Sequence, residues 1–183
     1  MSKPLEGKNI AMVIAFRDFS DPEYFISRNV LLGAGAKVIT VSSKKGLAIG
    51  VDGGEAQVNL ISSEFKVEGF EAVVFIGGPG MGGKLDDEGF QKIAKETVEA
   101  NKVLGAICIA PALLAKAGLL SGKKVTVWSD PLDKSAIKIL KEEGAEYLDE
   151  DVVIDGKIVT ASGPMVAKKF GQALVEVLTS LSE

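Results

Sequence analysis

The stretch Leu104-Gly105-Ala106-Ile107-Cys108-Ile109-Ala110-Pro111-Ala112-Leu113-Leu114 changes character at its midpoint. Its first half is continuously apolar, as a strand buried on both faces of a parallel sheet is. Its second half places Pro111 just inside a helical segment, where the missing N–H and fixed φ of proline are tolerated. The sequence therefore predicts a strand over Lys102 to Ile107, a helix over Pro111 to Ala117, and Cys108 on the tight turn between them. A thiol at a helix N-terminus lies beside unpaired amide hydrogens, which can lower its pKa from about 8.5 toward roughly 3.5–7.5. Enclosed by apolar groups instead, the same residue would be a small inert hydrophobe.

Outward from this stretch, short Val/Ile-rich runs alternate with segments of helical spacing. Strands are predicted over Asn9 to Ala15, Lys37 to Val41, Ala72 to Ile76 and Lys124 to Val127, and helices from Pro22 to near Gly33 and Gly35, and over about Asp86 to Ala100, Leu132 to Glu143 and Pro164 to Leu181. Strands alternating with helices define an α/β class with a mainly parallel sheet. The helix after the first strand has a clear start, with Asp21 as cap, Pro22 at the first helical position and Glu23 in the first turn. Gly46 to Asn59 reads as a hairpin, and Val152 to Thr160 as two strands about an Asp155-Gly156 turn. At 183 residues, with no repeat or linker, the chain is expected to form one domain over 1–183.

Composition narrows the function classes. The formal net charge of −4 argues against a nucleic-acid partner, since such binding draws on clustered Lys and Arg. A single cysteine leaves no internal disulfide and points to a reduced, cytoplasmic setting. The longest apolar stretch, Val103 to Ala115, falls short of the roughly 20 residues of a membrane span, and Ile10 to Phe16 is too short for a signal-peptide core. The chain contains no histidine, which excludes Ser-His-Asp triads, Cys-His dyads and His-ligated zinc together. No metal or other cofactor is expected, and acid-base chemistry falls to carboxylates.

Two further segments can carry chemistry. Phe75-Ile76-Gly77-Gly78-Pro79-Gly80-Met81-Gly82-Gly83-Lys84 is a strand running into a glycine-dense loop whose amides could approach a ligand or an oxyanion. It overlaps two phosphate motifs. Gly78, Gly80 and Gly83 match G-x-G-x-x-G but do not follow the first strand, and Leu85 stands where a P-loop needs Ser or Thr for magnesium. Arg17-Asp18-Phe19-Ser20-Asp21-Pro22-Glu23-Tyr24 follows the first strand, at the sheet edge where open α/β folds place their sites. Glu23 by itself suits the helix dipole. Arg17 and Arg28, the only arginines, flank it and could grip a substrate carboxylate or phosphate, or form surface ion pairs.

Taken together, these three segments resemble the DJ-1/PfpI (ThiJ/PfpI) superfamily. Ala117-Gly118-Leu119-Leu120-Ser121-Gly122-Lys123 and Asp155-Gly156-Lys157-Ile158-Val159-Thr160-Ala161-Ser162-Gly163-Pro164 resemble the family's later motifs, so the likeness spans nearly the whole chain. The resemblance implies a flavodoxin-like three-layer sandwich with Cys108 as nucleophile on a strained elbow, Glu23 as its hydrogen-bonded carboxyl partner, and the amides of Gly78 and Ile109 as an oxyanion hole. It also implies a homodimer or higher homo-oligomer; Arg28, Gly77 and Trp128 are the further candidates for substrate contacts. Three departures stand out. Ile109 replaces the histidine that follows the cysteine in the peptidase-like branch, no histidine stands near Trp128, and Ala110 replaces a family glycine.

Amide hydrolysis needs a group to protonate the leaving amine, a task usually given to the histidine beside the thiolate, so peptidase activity is demoted. Cofactor-free conversion of a 2-oxoaldehyde to a hydroxy acid, a glyoxalase III-like or deglycase-like chemistry that the resemblance implies, needs only a nucleophile and a carboxyl. The expected partner is thus a small reactive carbonyl, or an oxidant if the protein is instead a redox-sensing, protective (chaperone-like) homologue without turnover. A nucleotide-binding module using the glycine loop is the third alternative.

Overall fold

The computed structural model describes residues 2–183. β1 (Asn9–Val13) leads through the short β2 (Arg17–Phe19) into α1 (Asp21–Gly33), and β3 (Lys37–Ser42) into a hairpin of β4 (Gly46–Gly50) and β5 (Glu55–Val58). β6 (Leu60–Ile61), β7 (Ala72–Phe75), α2 (Pro79–Gly82), α3 (Glu88–Glu99), β8 (Val103–Ile107) and α4 (Ala110–Lys116) follow. The chain closes with β9 (Lys124–Val125), α5 (Ser135–Glu142), β10 (Glu146–Tyr147), β11 (Val152–Asp155), β12 (Ile158–Ala161) and α6 (Ala167–Ser180).

Seven strands form the central sheet in the order β11-β12-β8-β7-β1-β3-β6. All neighbours run parallel except the edge pair β11 and β12. From β1 the chain winds outward through β3 and β6, then returns to β7 on the other flank of β1 and winds away through β8. Connections leaving two adjacent strands in opposite directions open a crevice at their C-terminal ends. Val13 pairs with Phe75 and Phe75 with Ala106, so the ends of β1, β7 and β8 lie side by side.

Both faces of the sheet are covered, which explains why its strands read as unbroken apolar runs. Ala11, Val13, Val73, Phe75, Leu104 and Ala106 pack with Phe90 and Ile93 of α3, Leu113 and Leu114 of α4 and Leu140 of α5. Their neighbours in sequence, Ile10, Met12, Val74, Val103 and Ile107, pack on the other face with Leu31 of α1 and Phe170, Leu174 and Val177 of α6. Each fully buried Leu, Ile or Phe contributes about 1.5–3 kcal/mol. The result is the expected flavodoxin-like three-layer sandwich. Among the described residues, no helix is long and apolar enough to cross a membrane.

Several local expectations need correction. The strand expected over Lys124 to Val127 shortens to β9 and pairs with β10 in a separate two-stranded sheet, because β12 already occupies the edge of β8. Thr126, just past β9, gives its N–H to the Thr160 hydroxyl at 3.0 Å. In the last hairpin Asp155 pairs with Ile158, so the turn is Gly156-Lys157, while the Asp155 carboxylate accepts the Lys124 N–H at 2.9 Å. The helix expected from Leu132 begins at Ser135, since Asp130 accepts the N–H groups of Leu132 and Asp133, and Asp133 accepts that of Ser135. Aspartates bonding nearby amides in this way compete with helix formation. The last helix opens with a 3-10 turn at Pro164–Val166. At α1 the N-cap is Ser20, and the Asp21 carboxylate is engaged elsewhere.

Candidate active site

Three adjacent strand ends deliver the parts that the sequence singled out. After β8, Cys108 adopts φ 64, the left-handed region that disfavours a side-chain-bearing residue, and the chain then turns into α4. Such a conformation costs on the order of 1–3 kcal/mol and persists only when its surroundings hold it. Here they do. The Cys108 N–H donates to the Ala161 carbonyl at 2.9 Å, and the Cys108 carbonyl accepts the Trp128 N–H at 2.8 Å. The elbow thus carries the strained backbone that the family resemblance implies.

Glu23, in the first turn of α1, is 0% exposed. Its Oε2 accepts the Gly77 N–H at 2.8 Å, from the end of β7, whereas Oε1 accepts no well-aligned hydrogen bond. The Cys108 thiol and the Ser20 hydroxyl lie within hydrogen-bonding reach of the carboxyl. Gly77 permits this closeness, because a Cβ there would stand 2.7 Å from the Cys108 Cβ and 2.8 Å from Glu23 Oε2. No residue but glycine can pass between the acid and the thiol.

Burial raises the Glu23 carboxyl from an ordinary 4.5 to about 7, against the opposing pull of the Gly77 N–H. Burial also raises the Cys108 thiol, reinforced by the Glu23 charge and by the hydrogen bond between them, while the amides of Ile109 and Gly78 pull it down. This corrects the expectation of a thiol lowered by a helix N-terminus. The amides of Ile109 and Gly78 do act in that direction, but desolvation and the carboxylate outweigh them. Two anions at this distance in apolar surroundings are mutually unfavourable, so above about pH 7 the pair retains one shared proton, and the two groups titrate as a unit.

Above the pair lies a cavity of about 350 Å³, with Val51, Pro79, Ile109, Trp128 and Pro164 as its apolar walls and Ser20, Gly78 and Gly82 completing it. Among the described residues, Glu23 and Cys108 are the only ionisable side chains lining it. Gly78, Ile109 and Trp128 therefore reach the cavity. Gly77 does not, because it stands behind Glu23 as its donor. Arg28 is not a lining residue either, and Arg17 is exposed with its guanidinium 5.7 Å from the Phe16 ring centroid. The two arginines thus leave the cavity without a cation. Ala110, which opens α4, is buried in the core and is not a lining residue.

The glycine loop is folded rather than open. Pro79–Gly82 forms a helical turn whose Gly80 abuts the Arg17 carbonyl of β2, and Lys84 lines a different depression on the surface. This gives a phosphate no cradle. Val51 was missed by sequence reasoning because it belongs to the hairpin, whose contact with the sheet end is long-range. Pro164 carried a faint signal, as part of the Ser162-Gly163-Pro164 segment. Among the described residues no group of three or more Asp, Glu or Cys side chains could hold a metal ion.

Comparison with known proteins agrees with this architecture. Residues 8–177 match the DJ-1/PfpI family. An uncharacterized protein of Methanocaldococcus jannaschii is 36% identical over 98% of this chain and 86% of its own. The protein/nucleic acid deglycase 2 of Escherichia coli is 30% identical over 94% of this chain and 98% of its own, and a glutathione-independent glyoxalase of Caenorhabditis elegans is 26% identical over 93% and 89%. Among solved structures, a ThiJ/PfpI domain protein from Brachyspira murdochii superposes with a TM-score of 0.90 at 35% identity, covering 95% of this chain and 99% of that one. The order of motifs, the strained elbow and these matches together place the chain in the DJ-1/PfpI family.

Proposed function

We propose that this protein is a cofactor-free enzyme that converts small, uncharged 2-oxoaldehydes to 2-hydroxy acids through a Glu23-Cys108 pair. One observation carries the reading: a buried carboxyl, one oxygen of which accepts no well-aligned hydrogen bond, stands beside a thiol in the lining of an apolar cavity, with the amides of Gly78 and Ile109 favouring charge on the sulfur. Relatives named as a glyoxalase and as deglycases support reactive carbonyls as the substrate class. The absence of a charged side chain other than the pair favours neutral substrates.

The reactive form has the shared proton on Glu23 and the charge on sulfur, where the Gly78 and Ile109 amides stabilise it. Cys108 Sγ bonds to the aldehyde carbon as the C=O π bond breaks, and the new alkoxide takes the Glu23 proton. The carboxylate so formed removes the hydrogen of that carbon as a proton. The adjacent ketone oxygen gains the electron density, giving an enediolate. The hydroxyl proton on the first carbon passes to that oxygen and Glu23 returns its proton to the neighbouring carbon, which yields a 2-hydroxyacyl thioester; water then displaces the sulfur as a thiolate and leaves the 2-hydroxy acid. Oxidation at one carbon balances reduction at the next, so the conversion requires no external oxidant or reductant.

Reduced protein incubated with methylglyoxal should consume many equivalents per chain and release lactate, while Cys108→Ala releases none. Consumption that stops at one equivalent per chain would overturn the proposal. The redox-sensing alternative calls for an exposed thiol of low pKa. Burial and the Glu23 charge act in the other direction, so that reading is the weaker.

A further inference from the structure

Asp21 is adjacent to the N-cap of α1 and two residues before Glu23, yet it does not cap the helix. Its Oδ2 accepts the Asp52 N–H at 2.8 Å and its Oδ1 the Gly54 N–H at 2.6 Å. These donors belong to the turn between β4 and β5, which also closes on itself through Gly50 N–H to Gly54 carbonyl at 2.8 Å. Val51 N–H donates to the Phe19 carbonyl at 2.9 Å, tying the same turn to β2. A side chain at Gly50 or Gly54 would collide with the Asp21 carboxylate, so the hairpin is shaped to receive it. The turn carries Val51 into the cavity wall, where it is still 51% exposed.

A carboxylate with both oxygens engaged by turn amides has a mechanical role, and what it positions here is a cavity residue. We propose that Asp21 is a positioning residue that locks the β4–β5 turn, and that Val51, carried on that turn, limits the size of the group admitted to Cys108. For catalysis this selects uncharged 2-oxoaldehydes of compact, apolar substituent, a consequence that rests on the function proposed above. The size limit at the thiol stands independently of it.

The test reads access to Cys108 without requiring turnover. The folded protein is alkylated with iodoacetamide and with N-benzylmaleimide, and the bulky-to-small rate ratio is compared among variants, with far-UV circular dichroism and thermal melting as controls. Val51→Ala should raise the ratio by about fivefold, the equivalent of one modest interaction, and Val51→Phe should lower it. Asp21→Asn, which replaces one acceptor oxygen by a donor, should raise the ratio in the same direction. In the Asp21→Asn/Val51→Ala double variant the two effects should be less than additive, since one acts through the other. An unchanged ratio in both Val51 variants overturns the size limit, and full additivity overturns the positioning role of Asp21. Should Asp21→Asn fail to fold, Gly54→Ala displaces the same carboxylate and must raise the ratio. Shifted ratios in a protein that leaves methylglyoxal intact would refute the catalytic proposal and leave this one standing.

Discussion

Two carboxylates in one turn of α1 meet opposite fates. Asp21 serves the hairpin, and both of its oxygens accept amide hydrogens. Glu23 serves the elbow, where one oxygen accepts an amide hydrogen and the other has no well-aligned partner. Both side chains are buried, at 8% and 0% exposure. The difference is therefore one of donors as well as depth, since burial is what raises Glu23. A buried carboxylate given two amides is an anchor, whereas one given a single amide and a thiol is left with a place for a proton.

Loss of the Glu23 acid should have the greatest consequence. Glu23→Gln should lower methylglyoxal turnover by about 10²- to 10⁴-fold, the usual worth of a general acid-base group. The same change removes the charge that raises the Cys108 thiol. Alkylation by iodoacetamide at pH 7 should accordingly become faster than in wild type. Slower alkylation would contradict the view that the Glu23 charge raises the thiol.

Stability against pH sharpens the comparison. The folded-state value of Glu23, about 7, lies above its ordinary 4.5, so between these values the folded chain holds a proton that the unfolded chain has released. Stability must then fall as pH rises through that window. Relative to Glu23→Gln, the wild type should lose about 3 kcal/mol between pH 4.5 and 7, measured by chemical denaturation across pH. A difference that stays flat, or that grows with pH, would contradict the burial argument.

Smaller effects test the backbone that keeps the pair together. Gly77→Ala should destabilise the protein by about 1–3 kcal/mol in denaturant titration, as overpacking does, because the added methyl meets both Cys108 and Glu23. Least of all, Cys108→Gly should be more stable than Cys108→Ala by about 1 kcal/mol, since only alanine retains the cost of φ 64. Equal melting temperatures for these two variants would indicate an unstrained elbow.

Much of this was legible in the chain. Continuous apolar runs marked β1, β3, β7 and β8, and Pro22 and Pro111 marked helix starts. Less legible were the short strands β2 and β10, whose few residues lack a periodic signal. The Leu132 to Lys134 segment was misjudged for a related reason, since its aspartates bond local amides in preference to a helical turn. Motif order pointed to Glu23, Gly78 and Cys108 as one constellation. It did not distinguish Gly77, a donor hidden behind Glu23, from a residue that reaches the cavity.

What the sequence determined by itself is the alternation of strands and helices, the placement of the sole cysteine on a strand-to-helix turn, and the exclusion of histidine chemistry. These depend on local periodicity and composition, which survive without a third dimension. Only the tertiary structure decided that the thiol is raised rather than lowered, that Asp21 holds a hairpin instead of capping a helix, and that Val51 walls the cavity while Arg28 does not. Each of these depends on which groups meet across long stretches of chain and on how much water they leave behind. Desolvation and hydrogen-bond partnership are properties of the folded environment, so a residue's charge and role emerge only when that environment forms.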